Sequence, residues 1–361
     1  MIKKKLNRSE EIMAKLYFRY GIGKSAQLCQ VAYNYFNERN MNIAIINAKD
    51  NTTIRSNIIV DGKYVLEREP NIDVNNKSIY ETVYKMLITD NIKCVLIDNC
   101  EYLTCNQAEE LFYVSKILDI PVIAYGNRLM NNLDTSFGVC RLMSLADDIE
   151  KIDMGVSSKN AVLDFNYGAM NCSKTAQMLT KNQALIDEGY KTCIVKPKLD
   201  RDLVYVTSRI GLKAKADIVL DKDDNIYCHG EYLYRDKVNY ILVDEAQFLS
   251  ERQINQLRKI VNDYGISVSC YGLSIDFLSN LFSGSKRLFE ISDNIHKMQT
   301  VCSCGRGANF NVRIDKYGNY MKQGEQVCID DGGNYDSVCA YCFLENVMDI
   351  DIKHKEKIRK K

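Results

Sequence analysis

The stretch NYILVDEAQFLS, Asn239 to Ser250, reads as a buried strand, an acidic pair and a helix start, and KCVLIDNCEYLT, Lys93 to Thr104, repeats that order. Asp98 aligns with Asp244 at a spacing of 146 residues, and the same spacing relates Tyr125 of IPVIAYGN to Tyr271 of ISVSCYGL. It relates Asp147 of SLADDIEKI to Asp293 of EISDNIHKM as well. Upstream, KLYFRYG matches VLDFNYG, with Gly21 against Gly168. Three blocks at one spacing mark a tandem duplication. One copy lies near residues 12–153 and the other begins near 160.

Each copy alternates strands and helices. In the second, VLDFNY, TCIVKP, NYILVDEA and ISVSCYGL are short apolar runs suited to buried parallel strands. SERQINQLRKIVNDYG reads as an amphipathic helix opened by a capping box, Ser250 with Gln253, and Thr104 with Gln107 repeats the box in the first copy. This alternation predicts an α/β fold with mainly parallel sheets, whose ligands bind outside the carboxyl ends of the strands.

Composition narrows the function. The 361 residues carry 48 basic and 47 acidic side chains, a net charge of +1 that offers nothing to a nucleic-acid backbone. No apolar run approaches the roughly 18 residues that span a bilayer, and MIKKKLNRSEE lacks the apolar core of a secretory signal. Fourteen cysteines, most of them single in apolar segments, fit reduced buried thiols and a cytoplasmic protein. No nucleic-acid partner and no membrane are expected.

Chemistry concentrates in the second copy. GAMNCSKT, Gly168 to Thr175, follows a strand and precedes the apolar spacing of KTAQMLTKNQALIDEG. It differs from the phosphate-loop pattern G-x-x-x-x-G-K-[ST] at Ser173, where the second glycine belongs. Phosphoryl transfer from ATP needs backbone N–H groups and a lysine around the phosphates, with a hydroxyl and a carboxylate for Mg²⁺. Lys174, Thr175 and Asp244 supply that set, and Glu245 beside them is placed to accept the proton of an attacking hydroxyl. Either motif alone is common as a turn or a loop acid. Both in one α/β unit point to a nucleotide site.

Farther on, Cys302-x-Cys304 and Cys339-x-x-Cys342 form two close thiol pairs. They fit a closed structural Zn²⁺ site better than four unrelated cysteines. Between them FNVRIDKYGNYMKQGEQV alternates like a hairpin that lacks a core of its own. Because the sheet has its own core, loss of zinc is expected to disorder this segment first and to harm ATP binding less.

The order GAMNCSKT, VKPKLDRD, SRIG, VDEAQF, CYGLSIDF, LFSGSKRL, CSCG, GEQV, SVCAYC resembles the cytosolic, zinc-containing (type II) thymidine kinases over nearly all of Val162 to Phe343. The resemblance implies a RecA-like P-loop domain followed by a zinc-tethered lasso that closes over thymidine. It implies ATP contacts from Gly168, Ala169, Met170, Asn171, Cys172, Ser173, Lys174 and Thr175, and from Asp244, Glu245, Ala246 and Gln247. Glu245 would be the general base, Phe248 would stack on thymine, and Tyr335 would face the nucleoside. Cys302, Cys304, Cys339 and Cys342 would hold Zn²⁺. The resulting division is 12–153 for a degenerate kinase-like domain, 160–300 for the kinase domain, 301–347 for the lasso and 348–361 for a basic tail.

The sequence also departs from the family. Ser173 replaces a glycine, Asp200-Arg201-Asp202 compresses the D-x-R element, Ser274 stands for an arginine, and Asp330-Asp331 stand for lasso glycines. The first copy departs further. In YGIGKS, Gly21 and Lys24 are only three apart, Asn99 occupies the base position, and LADDIEKI runs into the second copy without a zinc segment. That half is expected to be catalytically inert and kept for packing, through self-association or against the second copy. The alternative to a thymidine kinase is an inactive nucleotide sensor on the same fold.

Overall fold

A computed structural model describes residues 14–21, 24–50, 52–55, 59–60, 63–64, 67–73, 78–130, 134–152, 161–198, 204–209, 211–324, 326 and 334–350. Asp200-Arg201-Asp202, Asp330-Asp331, the boundaries at 12, 153 and 160, and the tail from 351 lie outside them.

Two parallel sheets carry the duplication. The first runs in the order Ala44–Asn47, Val95–Asp98, Val122–Tyr125, Leu16–Gly21, Asp148–Ile152. The second has the order Ile218–Leu220, Thr192–Pro197, Tyr240–Val243, Ser267–Gly272, Leu163–Tyr167, Asn294–Lys297. Apart from the added edge strand Ile218–Leu220, the two orders correspond strand for strand. The central strands Val95–Asp98 and Tyr240–Val243 are buried almost along their whole length, as sheets covered by helices on both faces require.

Helix starts survived duplication for a local reason. Thr104 and Ser250 each accept from the backbone of the third helical residue, and Gln107 and Gln253 reach back to complete both boxes. A tight packing point survived too. A Cβ on Gly138 would meet the Leu103 carbonyl oxygen at 2.0 Å, and one on Gly284 would meet the Leu249 carbonyl oxygen at 2.5 Å. Only glycine lets these two helices sit on the strand-to-helix corner beneath them.

The hairpin expected within Phe310–Val327 is only partly realised. Phe310–Ile314 is a strand, but it pairs antiparallel with Asn334–Val338, and a lone bridge from Ile314 to Tyr320 closes the turn between. The pairing places the last helix, Ala340–Asn346, against this ribbon, where Phe343 stacks on Phe310 with ring centroids 4.5 Å apart.

The two copies touch reciprocally. Lys151 donates to the Asp293 carbonyl at 3.3 Å, and its equivalent Lys297 donates to the Asp147 carbonyl. Residue i meeting j while the equivalent of i meets the equivalent of j is the signature of a two-fold contact. Arg128 of the first copy adds bonds to the Phe289 and Ser292 carbonyls, and Phe112 packs against Phe310 at 5.7 Å. One contiguous apolar cluster runs through both sheets and the cysteine-rich segment.

Candidate active site

The phosphate-loop residues follow the strand Leu163–Tyr167 and lead into the helix Lys174–Asp187. The Lys174 ammonium donates to the Ala169 carbonyl at 2.8 Å and the Gly168 carbonyl at 3.3 Å. The Thr175 hydroxyl meets the two Asp244 oxygens at 3.2 and 3.1 Å, so loop and acidic strand end converge as the motifs anticipated. Burial, and then the neighbouring Glu245 charge, push the Asp244 carboxyl up to about 7 against the Thr175 hydrogen bond. A cation at this position would restore its charge.

Ser173 adopts φ +61°, the conformation for which the missing glycine is suited. Holding an L-residue there costs about 1–2 kcal/mol. Ser173→Gly removes that strain but loses roughly 0.5–1 kcal/mol in chain entropy, so a small net gain of up to about 1.5 kcal/mol is expected. Denaturant unfolding would measure it, and a lowered midpoint would show that the serine side chain is itself stabilising.

Glu245 also sits at positive φ, +51°, and its Oε2 accepts from Gln247 Nε2 at 2.6 Å. Gln247 is buried and accepts in turn from the Leu273 amide at 3.0 Å, which fixes the carboxylate relative to the loop after Ser267–Gly272. Ala246 is buried beside it. Phe248 makes an edge-on contact with Phe282 at 5.7 Å. Tyr335 stands 5.8 Å from the Arg313 guanidinium, which lies 5.9 Å from the Phe277 ring.

The contacts of three residues escaped sequence reasoning. Asn311, on the strand Phe310–Ile314, accepts from the Met170 amide and donates to the Ile275 carbonyl, each at 2.7 Å. Ser337 of the paired strand donates to the Met170 carbonyl. The phosphate loop is therefore held on both sides of Met170 by the cysteine-rich segment. Arg209, in SRIG, donates to Asn171 on the same loop. A compositional cue existed only for Arg209, inside a motif already singled out.

Cys302, Cys304, Cys339 and Cys342 converge with all sulfur atoms within 4.8 Å of one another, and Cys304 and Cys339 are 3.6 Å apart. Tetrahedral Zn–S bonds of about 2.3 Å give S···S edges of about 3.8 Å, so the donor set and spacing fit zinc. Burial opposes ionisation of Cys304, but the Arg306 amide and the other three thiols bring it down to about 7. Burial pushes Cys339 up to about 11 and Cys342 higher.

A family model described as thymidine kinase matches residues 14–157 and again 161–343. The chain belongs to the thymidine kinase family. A thymidine kinase of Vibrio vulnificus (strain YJ016) is 40% identical over 188 residues, 51% of this chain and 97% of the relative. That of Shewanella oneidensis is 38% identical over 191 residues, 52% of this chain and 100% of the relative. That of Enterobacteria phage T4 is 39% identical over 173 residues, 47% and 90% respectively. These thymidine kinases are thus the length of one copy, and this chain matches the family model twice.

The first copy keeps more of the thymidine kinase site than its shortened loop suggests. Ser25 donates to Asp98 at 2.9 Å, as Thr175 does to Asp244, and Asp98 Oδ1 is buried without a hydrogen-bond partner among the described residues. Lys24, however, is engaged by the Gly21 carbonyl at 2.9 Å and by Asn127 Oδ1 at 2.8 Å. Asn127 donates to the buried Glu101 at 2.8 Å, so lysine, amide and carboxylate form an internal chain. Lys24→Ala is expected to lower stability by about 1 kcal/mol while turnover stays within about twofold. Turnover lost in proportion to that seen with Lys174→Ala would show that the first copy takes part in the reaction.

Proposed function

We propose that the second copy transfers the γ-phosphoryl group of ATP to the 5′-hydroxyl of thymidine. The observation that carries this reading is the convergence of Lys174, the Thr175–Asp244 pair and Glu245 at the strand ends of the half that also bears the four-cysteine cluster. Backbone amides of Gly168 to Ser173 and the Lys174 ammonium would hold the phosphates, with Ala246 and Gln247 behind them. Thr175 and Asp244 would hold Mg²⁺, which supplies charge neutralisation of the phosphates when bound. Glu245 takes the 5′-hydroxyl proton as the oxygen bonds to the γ-phosphorus and ADP leaves. Phe248 offers an aromatic face to thymine, and Tyr335 lies on the wall formed by the cysteine-rich segment.

Zn²⁺ held by Cys302, Cys304, Cys339 and Cys342 would be structural, since four sulfurs leave no open position. The division into 12–153, 160–300, 301–347 and 348–361 follows from this reading, with the first copy packed against the second as a built-in partner. Among the described residues no helix is long and apolar enough to cross a membrane. A cytoplasmic place and the absence of nucleic-acid partners rest on composition. Retention of Glu245 favours an enzyme over a nucleotide sensor, because a sensor has no use for a strained carboxylate at the base position.

Purified full-length chain incubated with thymidine and ATP bearing a labelled γ-phosphate is expected to form labelled thymidine monophosphate. No label transfer at any Mg²⁺ concentration would overturn the assignment.

A further inference from the structure

We infer that the first copy, inert in its own right, positions the thymidine-binding loop of the second through Arg141. This deepens the function proposed above and rests on it. The loop in question, residues 273–282, leaves the carboxyl end of the strand Ser267–Gly272. It contributes Phe277 and Phe282 to the aromatic wall around Phe248 and Arg313. Its inner side is tied to the phosphate loop through Asn311, which bonds the Ile275 carbonyl.

The tip of the loop is where the chain is strained. Ser279 is 1% exposed and has φ +63°, a conformation that L-residues avoid. The Asp276 carboxylate accepts from the Leu278 and Asn280 amides at 2.8 and 2.9 Å, which closes the turn from within. What holds it from outside is Arg141, on the helix Phe137–Leu145 of the first copy. Its Nη1 donates to the Ser279 carbonyl at 3.0 Å and to the Ser279 hydroxyl at 3.2 Å. Glu109 fixes the guanidinium by accepting from Nε at 2.9 Å.

The equivalent pair in the second copy shows what is special here. Arg287 stands 146 residues after Arg141, and Asn255 the same distance after Glu109. Arg287 bonds Asn255 and Glu290 within its own half. The first copy carries a glutamate at the partner position, and its arginine reaches across to the other half. A passive appendage needs no charged clamp on its neighbour's strained turn. Strained residues persist only where their surroundings over-determine them, and Arg141 supplies that from outside the kinase copy.

Steady-state kinetics with thymidine and ATP varied separately test this in the full chain. Arg141→Ala should raise the thymidine KM about tenfold, the worth of one charge-assisted hydrogen bond, and change the ATP KM less than about twofold. Arg141→Lys, which keeps one donor, should recover part of the loss. In a Ser279→Gly background, where glycine adopts the turn unaided, Arg141→Ala should have a smaller effect on thymidine KM. An unchanged thymidine KM, equal rises in both KM values, or the same fold-effect in the Ser279→Gly background would each overturn the inference. If Arg141→Ala does not fold, Arg141→Lys carries the same test with the same overturning outcomes. A wild-type chain unable to phosphorylate thymidine would instead overturn the function itself, and the inference with it.

Discussion

Glu245→Gln is expected to lower turnover by about 10²–10⁴-fold, or about 3–5 kcal/mol in the barrier, with ATP affinity retained. The amide keeps the shape of the carboxylate, and its oxygen still accepts from Gln247 Nε2, so the hydrogen bond to Gln247 and the link onward to Leu273 survive. Only the capacity to take a proton from the attacking hydroxyl is removed. Turnover of Glu245→Gln within a few-fold of wild type would dismiss Glu245 as the base.

The backbone at this residue sharpens the case. Glu245 has φ +51° and ψ +37°, and Asn99 at the same point of the first copy has φ +55° and ψ +39°. The left-handed corner is thus built into the strand ending of both copies. Asparagine tolerates it better than glutamate. The first copy carries the residue that suits the backbone, and the second carries the residue that the proposed reaction needs. Glu245→Asn should accordingly unfold at higher denaturant than wild type, while being as inactive as Glu245→Gln.

Much of this was legible in the sequence, and the reason is locality. Strand runs, capping boxes and the four cysteines are patterns over a few residues. Their repetition 146 residues apart fixed the duplication without any knowledge of contacts. The phosphate loop and acidic pair were legible for the same reason. Illegible were side chains that act across the fold. Asn311 bonds Met170 and Ile275 from a strand with no motif, and Arg141 bonds Ser279 from the other copy. Nothing near either residue in the chain announces its target. The retained Ser25–Asp98 pair was obscured differently, because a shortened loop drew notice to what was lost.

Chelation of the proposed zinc, or replacement of Cys342 by serine, is expected to lower activity on the order of 10²-fold by weakening ATP and thymidine binding together. Read from sequence, the sheet with its own core should lose less ATP affinity than thymidine affinity. The structure argues otherwise through one residue. Met170 lies in the phosphate loop, and both its amide and its carbonyl are bonded to strands of the cysteine-rich ribbon, by Asn311 and Ser337. That ribbon is closed at one end by the four sulfurs. Structural zinc supplies folding energy to such segments directly, so without it the ribbon loses its register. Asn311 then releases Met170 and Ile275 at once, and both the phosphate loop and the thymidine loop lose a fixed point. Displacement of reacting groups by about an ångström costs on the order of 10²-fold in rate, the loss expected in Cys342→Ser. Titration with a chelator, followed by ATP and thymidine binding in parallel, separates the alternatives. The two affinities should fall over the same range of chelator and recover together on adding zinc. Thymidine binding lost while ATP affinity holds would show that the phosphate loop stands without the ribbon.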